Sequence, residues 1–392
     1  AERRGVRIGI VSQSYYPRYG GVTEHVHHTA VELRRRGHQV TIITSHFRRG
    51  EAPSDCEVER IGYNLLIPFN GAFVDLAVGL RLRGQLRSLL RRHGFDLLHT
   101  HAPLVPTLPL IAVETADCPQ VGTFHTTSGP SRLIEAFREK LARRMQRLDA
   151  RIAVSETARD FVAQYFPGDY RVIPNGVDTE RFHPDAEPFA EWRDPGRVNL
   201  LFVGRLDPRK GVQVLLDAMP EVVARTAGRA RLLVVGDSYL RRRFEASVPA
   251  GAREHVRFLG HVSSHDLPRW YATGDVFVSP ALGHESFGIV LAEGMAAGRA
   301  VVASDIPGYR SVVQPGVNGL VSPPGDVAAL AETLTGLVED ADRRAELARQ
   351  GRARALEFAW PRVTDRIEAV YRDVVARRGG PAPPAGPRPG EA

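Results

Sequence analysis

The chain has 392 residues, 43% of them hydrophobic, with two cysteines and a formal net charge of +7. A chain of this length can build two domains, each with its own core. The cysteines are too few for a disulfide scaffold and lack the spacing of a zinc site. No apolar run reaches the roughly 18 residues of a membrane-spanning helix, and the positive charge favours anionic partners such as a nucleotide diphosphate, an anionic membrane or nucleic acid.

Short apolar runs alternate with helical patterns in the first half of the chain. The spacing of Val22, Val26, Ala30 and Leu33 predicts a helix. Strands are predicted at residues 6–12, 40–44, 97–100, 121–124 and 152–155. This alternation favours a parallel sheet with helices on both faces.

The same alternation restarts near Asn199. Strands are predicted at residues 200–203, 232–235, 256–259, 276–279 and 300–303, with helices at 213–224 and 290–297. We therefore expect an α/β protein of two Rossmann-like, doubly wound parallel-sheet domains joined near residues 183–197.

The expected domain bounds follow from these patterns. The N-terminal domain is predicted to span 1–185 and to be completed by a C-terminal helix near 360–378, and the second domain is predicted to span 186–359. Nine of the twelve residues in 379–390 are Gly or Pro, so residues 379–392 are predicted to form a disordered tail.

Gly20 and Gly21 directly precede the first predicted helix. Adjacent glycines let the backbone approach a ligand closely, and a helix N-terminus favours an anion. The dinucleotide-binding fingerprint GxGxxG is absent, and a plain tight turn explains the two glycines equally well.

His125 follows the predicted strand 121–124. Ligands of open α/β sheets bind beyond the carboxyl ends of the strands, where a histidine can contact a sugar or polarise a reacting group. His99 and His101 have a similar position, and a structural histidine is the alternative interpretation.

Residues 204–211 contain Arg205, Arg209 and Lys210 within a stretch bounded by glycines. Arginine grips phosphate oxygens in bidentate fashion and lysine acts as a point charge, so the segment is predicted to bind a diphosphate. A solvated basic turn is the alternative.

Residues 284–293 contain two carboxylates, Glu285 near the predicted start of a helix and Glu293 eight residues further on. That spacing is just over two helical turns, so both are predicted to face a similar direction and to bind hydroxyl groups of a sugar and a ribose. The amides of 286–288 are predicted to bind phosphate. A capped helix with a solvent-facing glutamate is the alternative.

Together these segments resemble the retaining glycosyltransferases of family 4, which have the two-domain GT-B fold with an interdomain cleft, and within them the bacterial phosphatidylinositol mannosyltransferases. The resemblance covers roughly residues 6–375. The matching segments, in their family order and spacing, are Gly20–Val22, Phe124–Thr126, Ile173–Asp178, Gly204–Arg205, Arg209–Gly211, Glu285–Gly288 and Pro307–Gly308.

The resemblance implies a role for each matching position. His125 contacts the transferred sugar, Arg205 and Lys210 neutralise the departing diphosphate, and Glu285 binds sugar hydroxyls; these four are the predicted catalytic residues. The predicted donor-binding residues are Gly20, Gly21, Arg205, Lys210, Glu285, Ser286, Phe287, Gly288, Ile289 and Glu293, the last on the ribose.

The family retains anomeric configuration and generally needs no metal, so no metal ligands and no cofactor are expected. The Asp-x-Asp segment, residues 340–342, lies in a charged stretch and is interpreted as surface. The resemblance implies GDP-mannose as the donor substrate.

Thr23, Asn70 and Thr126 are the predicted acceptor-binding residues. Thr23 stands where the phosphatidylinositol mannosyltransferases carry glutamine, and residues 69–73 replace a pattern with Tyr, Asn and Ser. These departures argue against inositol as the headgroup and leave another lipid or a glycan as the acceptor.

Residues 76–92 predict a basic amphipathic helix with leucines on one face. Such a helix can bind an anionic membrane, and the predicted membrane residues are Arg81, Arg83, Arg87 and Arg91. A surface helix whose leucines face the core is an alternative that can coexist with this role. The apolar segment 6–11 is too short for a signal-peptide core, so we expect a cytoplasmic protein, peripheral on the inner face of the plasma membrane.

Three other functions remain open. The first is a GT-B transferase that uses a UDP-sugar and a soluble acceptor. The second is a GT-B sugar-nucleotide epimerase, and the third is a non-catalytic anion-binding protein. Nucleic acid is not an expected partner because no nucleic-acid-binding motif is present, and the sequence does not predict the oligomeric state.

Overall fold

The computed structural model describes residues 5–47, 55–69, 72–126 and 131–378. It contains two compact units, one built from the chain up to Asn175 and from Trp360 onward, the other from Gly176–Ala359. The predicted tail, 379–392, lies outside the described residues.

The first unit has an eight-stranded sheet in the order β4-β3-β2-β1-β5-β6-β7-β8. All neighbouring strands are parallel except the β3–β4 hairpin, which is antiparallel. The elements are β1 (Arg7–Val11), α1 (Gly21–Arg35), β2 (Gln39–His46), β3 (Glu57–Phe69), β4 (Ala72–Val78), α2 (Leu82–His93), β5 (Leu97–His101), α3 (Leu108–Thr115), β6 (Gln120–Phe124), α4 (Arg132–Ala136), α5 (Arg138–Met145), β7 (Ala150–Ala153), α6 (Glu156–Ala163) and β8 (Arg171–Val172).

The second unit has a six-stranded parallel sheet in the order β11-β10-β9-β12-β13-β14. Its elements are β9 (Val198–Val203), α7 (Val212–Arg225), β10 (Ala230–Val235), α8 (Arg241–Ser247), β11 (Val256–Gly260), α9 (Leu267–Thr273), β12 (Val276–Ser279), α10 (Ile289–Ala296), β13 (Ala300–Ser304), β14 (Leu320–Ser322), α11 (Val327–Glu339) and α12 (Ala341–Glu357). The two-domain α/β architecture expected from the sequence is therefore confirmed.

The last helix, α13 (Trp360–Arg377), belongs to the first unit. Its residues Val363 and Ile367 are fully buried and share a core with Ile8 of β1 and Leu33 of α1. The chain thus returns to the first unit after completing the second.

The division between the units falls after Asn175, earlier than the junction at 183–197 inferred from composition. The reason is that Phe182 already packs in the core of the second unit, and Val177 pairs with Ala359 at the unit's other end. The charged residues and prolines used for the prediction lie at 183–197, whereas the buried contacts with the rest of the second unit begin before residue 183.

Residues 76–92 form the end of strand β4 and most of helix α2. Leu76 belongs to β4, and the helix α2 begins only at Leu82, so the prediction of one continuous helix was wrong. The β3–β4 hairpin was missed because its apolar residues do not alternate regularly. No helix within the described ranges has the length and apolar character needed to cross a membrane.

Replacing Ile367 by Ala should lower the free energy of unfolding by about 2–5 kcal/mol, because its fully buried side chain leaves a cavity in the first unit. Urea denaturation followed by circular dichroism measures the change. The exposed Arg362→Ala on the same helix is the control and should stay within about 0.5 kcal/mol of wild type. Equal stability of the two variants would contradict the assignment of α13 to this core.

Candidate functional site

Three loops of the second unit meet at the carboxyl edge of its sheet. They follow the adjacent strands β9, β12 and β13 and comprise residues 204–211, 280–288 and 305–308. The backbone N–H of Leu282 donates to the carbonyl of Arg209 at 2.8 Å. This hydrogen bond joins the first two loops and brings together segments that the sequence analysis singled out separately.

Glycine is required where these loops touch. A Cβ atom on Gly211 would lie 1.8 Å from the carbonyl oxygen of Pro280, and one on Gly308 would lie 1.8 Å from that of Glu285. Gly211 also has a φ of 71°, which L-residues with side chains rarely adopt. The two glycines thus hold the 280–288 loop against both of its neighbours.

Lys210 and Glu285 form an ion pair across the first two loops. The Lys210 Nζ atom lies 2.6 Å from Glu285 Oε1, and both side chains are mostly shielded from solvent, with 23% and 18% exposed. Two of the predicted catalytic residues are therefore in direct contact.

The two arginines of residues 204–211 differ in how accessible they are to a ligand. Arg209 Nη2 lies 3.0 Å from Asp207 Oδ2. Burial acts to raise the pKa of the Asp207 carboxyl, but hydrogen bonds from Arg209 lower it below its usual value, which keeps the pair ionised. Arg205 is 59% exposed, and its guanidinium is 3.9 Å from the same carboxylate. Arg205 is thus the more accessible of the two arginines for an anionic ligand.

Helix α10 begins after the 280–288 loop rather than within it. Gly288 caps it with a φ of 88°, and a Cβ there would lie 2.7 Å from the ring of Tyr309. Phe287 is buried, Ser286 is half-buried, and Ile289 is the first helical residue. The predicted phosphate-binding amides thus lie just ahead of the helix N-terminus.

The two carboxylates do not share a helix. Glu285 lies in the loop beside Lys210, whereas Glu293 lies in α10 and accepts a hydrogen bond of 2.7 Å from the Tyr271 hydroxyl. The prediction that helical spacing aligns them was therefore wrong, because the helix begins only at Ile289. Their predicted roles on sugar and ribose stay predictions.

In the first unit, Gly20 and Gly21 are exposed at the N-terminus of α1. Gly20 occupies the capping position, which has no side-chain hydrogen bond. Thr23 is buried, and its hydroxyl donates to the carbonyl of Arg18 at 2.8 Å, so it stabilises the glycine loop. Thr126 is exposed. Asn70 lies outside the described residues.

Behind His125 lies what we call the histidine cluster, formed by His25 of α1, His99 and His101 of β5, and His125 after β6. His101 Nδ1 lies 2.9 Å from His125 Nε2, and the His25 ring contacts both at centroid distances of 5.3 and 5.1 Å. His99 and His101 were predicted to have positions similar to that of His125, but His25 was missed because it lies inside a helix.

A second polar group missed by the sequence analysis surrounds Asp75 of β4. This buried carboxylate accepts hydrogen bonds of 2.7 Å each from Ser14, Arg18 and Asn64. The hairpin thereby fixes the loop that precedes α1. No motif would have indicated this, because the partners come from three separate segments.

The leucine face of α2 packs inward. Leu82, Leu86 and Leu89 are buried, whereas Arg81, Arg83, Arg87 and Arg91 are all exposed. Arg83 forms an ion pair with Glu114. The interpretation as a surface helix is therefore confirmed, and the arginines still face solvent.

Among the described residues, one group could hold a metal ion by geometry, namely Glu57, Glu59 and His93. Arg92 already pairs with Glu59 at 2.6 Å. The Asp-x-Asp segment is confirmed as surface, because Asp340 is exposed and caps α12 by accepting from the Arg343 backbone N–H at 2.7 Å.

Comparisons with known proteins agree with this arrangement. Residues 19–181 match the family model described as Glycosyltransferase Family 4, and residues 197–340 match the model described as Glycosyl transferases group 1. The chain belongs to this family of glycosyltransferases, and its two parallel-sheet domains form the GT-B fold.

Individual relatives cover nearly the whole chain. It is 36% identical to the phosphatidyl-myo-inositol mannosyltransferase of Mycolicibacterium smegmatis, over 94% of each chain. It is 29% identical to the GDP-mannose-dependent alpha-mannosyltransferase of Mycobacterium tuberculosis, over 95% of this chain and 98% of the relative. Its fold is similar to that of sucrose-phosphate synthase from Thermosynechococcus elongatus, with a TM-score of 0.77, 22% identity and coverage of 95% of this chain and 100% of the other.

Replacing Gly308 by Ala should displace the Glu285 carbonyl, because the added Cβ has no room. Overpacking of this kind costs about 1–3 kcal/mol, and we expect a lower melting temperature together with weaker binding of GDP or UDP by calorimetry. Gly336→Ala, a helical site with no atom within 4 Å of the new Cβ, is the matched control. Unchanged nucleotide affinity in Gly308→Ala would show that this loop does not support the nucleotide.

Proposed function

We propose that the protein is a retaining, metal-independent mannosyltransferase that moves mannose from GDP-mannose to a lipid-linked or glycan acceptor. The observation that carries this proposal is the Lys210–Glu285 ion pair, held on adjoining loops with Arg205 exposed beside it. It joins a cation suited to phosphate and a carboxylate suited to hydroxyl groups in one place.

The cations supply the electrostatic part of the reaction. Cleavage of the sugar–phosphate bond leaves negative charge on the departing diphosphate, and fixed positive groups aimed at that charge lower the barrier. Lys210 is held in place by Glu285, whereas Arg205 is free to adjust toward the phosphates. In this proposal the two side chains do the work that a divalent cation does in other sugar transferases.

The names of two relatives support mannose as the proposed sugar. One is a phosphatidyl-myo-inositol mannosyltransferase and the other a GDP-mannose-dependent alpha-mannosyltransferase, so mannose and GDP are the donor groups that we propose for this chain. A UDP-sugar remains the alternative that a donor panel separates.

Glu285 and Glu293 complete the proposed donor site. Glu285 binds hydroxyls of the sugar while its partner Lys210 contacts phosphate, and Glu293, oriented by Tyr271, binds the ribose. Retention of configuration is proposed from the family resemblance, with His125 contacting the transferred sugar.

We also propose that the first unit binds an anionic membrane on the cytoplasmic side. The exposed arginines of α2 supply the charge. Apolar side chains are exposed nearby, with Tyr63 69% and Leu66 51% exposed in β3 and Leu80 93% exposed in the loop between β4 and α2. Charge and exposed apolar area together favour an interfacial position.

Lys210→Ala should reduce turnover by about 10²–10³-fold, the usual loss when one charge-stabilising group is removed from a transition state. The measurement is transfer of radiolabelled mannose from GDP-mannose to membrane lipid extract in the presence of EDTA, with UDP-glucose as the competing donor.

Arg242→Ala removes an exposed cation from the same unit and should leave turnover unchanged. Wild-type activity in Lys210→Ala would refute the donor site, and loss of wild-type activity on adding EDTA would refute metal independence. Epimerised nucleotide sugar without transfer would instead indicate the epimerase alternative.

Changing Arg81, Arg87 and Arg91 together to Gln should weaken binding to vesicles containing phosphatidylglycerol by about 10²-fold, since each cation contributes on the order of 1 kcal/mol. Co-sedimentation at low and high salt measures the effect. Changing Arg242, Arg243 and Arg257, three exposed arginines of the second unit, removes the same charge and should have little effect. Equal binding to neutral phosphatidylcholine vesicles would argue against electrostatic attachment.

A further inference from the structure

The histidine cluster is buried and has few charged neighbours. His25 and His99 are fully buried, and His101 and His125 are 1% and 8% exposed. The titratable groups around His125 are His25 from α1 and His99 and His101 from β5. Helix α13 contributes Trp360 beside His25 and the Tyr371 hydroxyl, 2.6 Å from His99 Nδ1. No carboxylate in the described segments forms an ion pair with any of the four rings.

Burial keeps the cluster uncharged. It lowers the pKa of His25 to about 4 and that of His99 to about 3, and the pKa values of His101 and His125 fall well below the usual value as well. Neighbouring histidines lower them further, since two adjacent imidazolium ions repel each other. All four rings are therefore neutral at pH 7.

A neutral histidine carries one N–H, so the His101–His125 hydrogen bond has a single donor. Either His101 Nδ1–H donates to His125 Nε2, or His125 Nε2–H donates to His101 Nδ1. The first arrangement leaves His101 Nε2 as a bare lone pair, and the second leaves it as a buried N–H.

The surroundings of His101 select between the two arrangements. Its Nε2 atom is buried and has no hydrogen-bond partner, and an orphaned N–H is rarer in proteins than an under-used acceptor. The same argument about donors and acceptors applies to His25. Its Nδ1 lies 2.8 Å from Asn175 Oδ1, which can only accept, so the unpartnered Nε2 of His25 is a bare lone pair too.

We infer that His101 is a positioning residue that donates from Nδ1 and thereby holds His125 in the Nδ1-protonated tautomer. His125 then meets its ligand as a fixed, neutral hydrogen-bond donor. This inference rests on the proposed function, in which the ligand atom is a hydroxyl oxygen of the transferred sugar.

The arrangement determines what His125 can do. Its Nε2 is occupied by His101, so that nitrogen cannot take a proton from the acceptor hydroxyl. Its Nδ1–H can hydrogen-bond a sugar oxygen without placing a positive charge near a sugar carbon that becomes cationic in the transition state. A neutral donor therefore suits this step better than an imidazolium ion.

The tautomer can be measured in the full-length wild-type protein without any assay of activity. Long-range ¹H–¹⁵N spectra of histidine-labelled protein distinguish protonated from bare ring nitrogens, and single His→Gln variants assign the signals. We expect His125 protonated at Nδ1 and His101 protonated at Nδ1 at pH 7.5. Protonation of His125 at Nε2 would overturn the inference.

Substitutions at His101 test the consequence for turnover. In His101→Asn the side-chain amide can occupy the place of Nδ1 and donate, whereas in His101→Gln it reaches the place of Nε2, and His101→Phe offers no donor. We expect kcat to fall about 10- to 100-fold in the Phe and Gln variants, as when an orienting partner of a functional histidine is removed. His101→Asn should stay within about 3-fold of wild type, and KM for the donor should change little.

His38→Phe is the matched control. His38 is also a buried histidine of the first unit, but it precedes β2 at the opposite edge of the sheet and pairs with Glu368. Melting temperatures of all variants separate loss of folding from loss of positioning. Equal activity in the Asn and Phe variants, both folded, would refute the role of His101.

The outcomes also separate this inference from the proposed function. A wild-type protein that transfers no mannose but shows the expected tautomer would refute the function and leave the hydrogen bond intact. An active wild-type protein with His125 protonated at Nε2 would refute the inference alone.

Discussion

The Lys210–Glu285 ion pair is the interaction on which the proposed donor site depends. Its two side chains come from loops after adjacent strands, and the pair forms because Gly211 lets one backbone lie against the other. Two partly buried charges at 2.6 Å neutralise each other, so neither has to be desolvated alone. A bound nucleotide sugar would enter a place where the cation and the carboxylate are already positioned.

The two units differ in the charge of the side chains near the carboxyl ends of their strands. The loops of the second unit concentrate cations and carboxylates at the carboxyl edge of its sheet, whereas the histidine cluster of the first unit, with His101 and His125 at the carboxyl ends of β5 and β6, is uncharged. This division suits the proposed transfer, in which negative charge develops on the leaving diphosphate and positive charge on the sugar, since in that proposal a positively charged His125 would oppose the second change.

Much of the fold was predictable because parallel strands are buried on both faces and appear as short apolar runs. The runs at 276–279 and 300–303 became β12 and β13 with bounds within a residue of those predicted. Motif order identified the loops around Lys210 and Glu285. The sequence could not predict which side chains pair in the folded structure or where every helix begins. Nothing in the motifs indicated that Arg209 is bound by Asp207, which caps the short turn over 208–210. Nothing indicated either that α10 starts after Glu285, because its start depends on the backbone turn at Gly288.

The position of α13 has a consequence for how the protein is made. Because the helix from Trp360 supplies part of the core of the first unit, that core cannot be finished when its own N-terminal residues leave the ribosome. The second unit, continuous from Gly176 to Ala359, can fold first. The core around Ile8 and Leu33 is completed only when Val363 and Ile367 have been synthesised. Translation therefore completes the second domain before the first, and a chain that stops short of α13 would expose an unfinished apolar surface to chaperones and proteases.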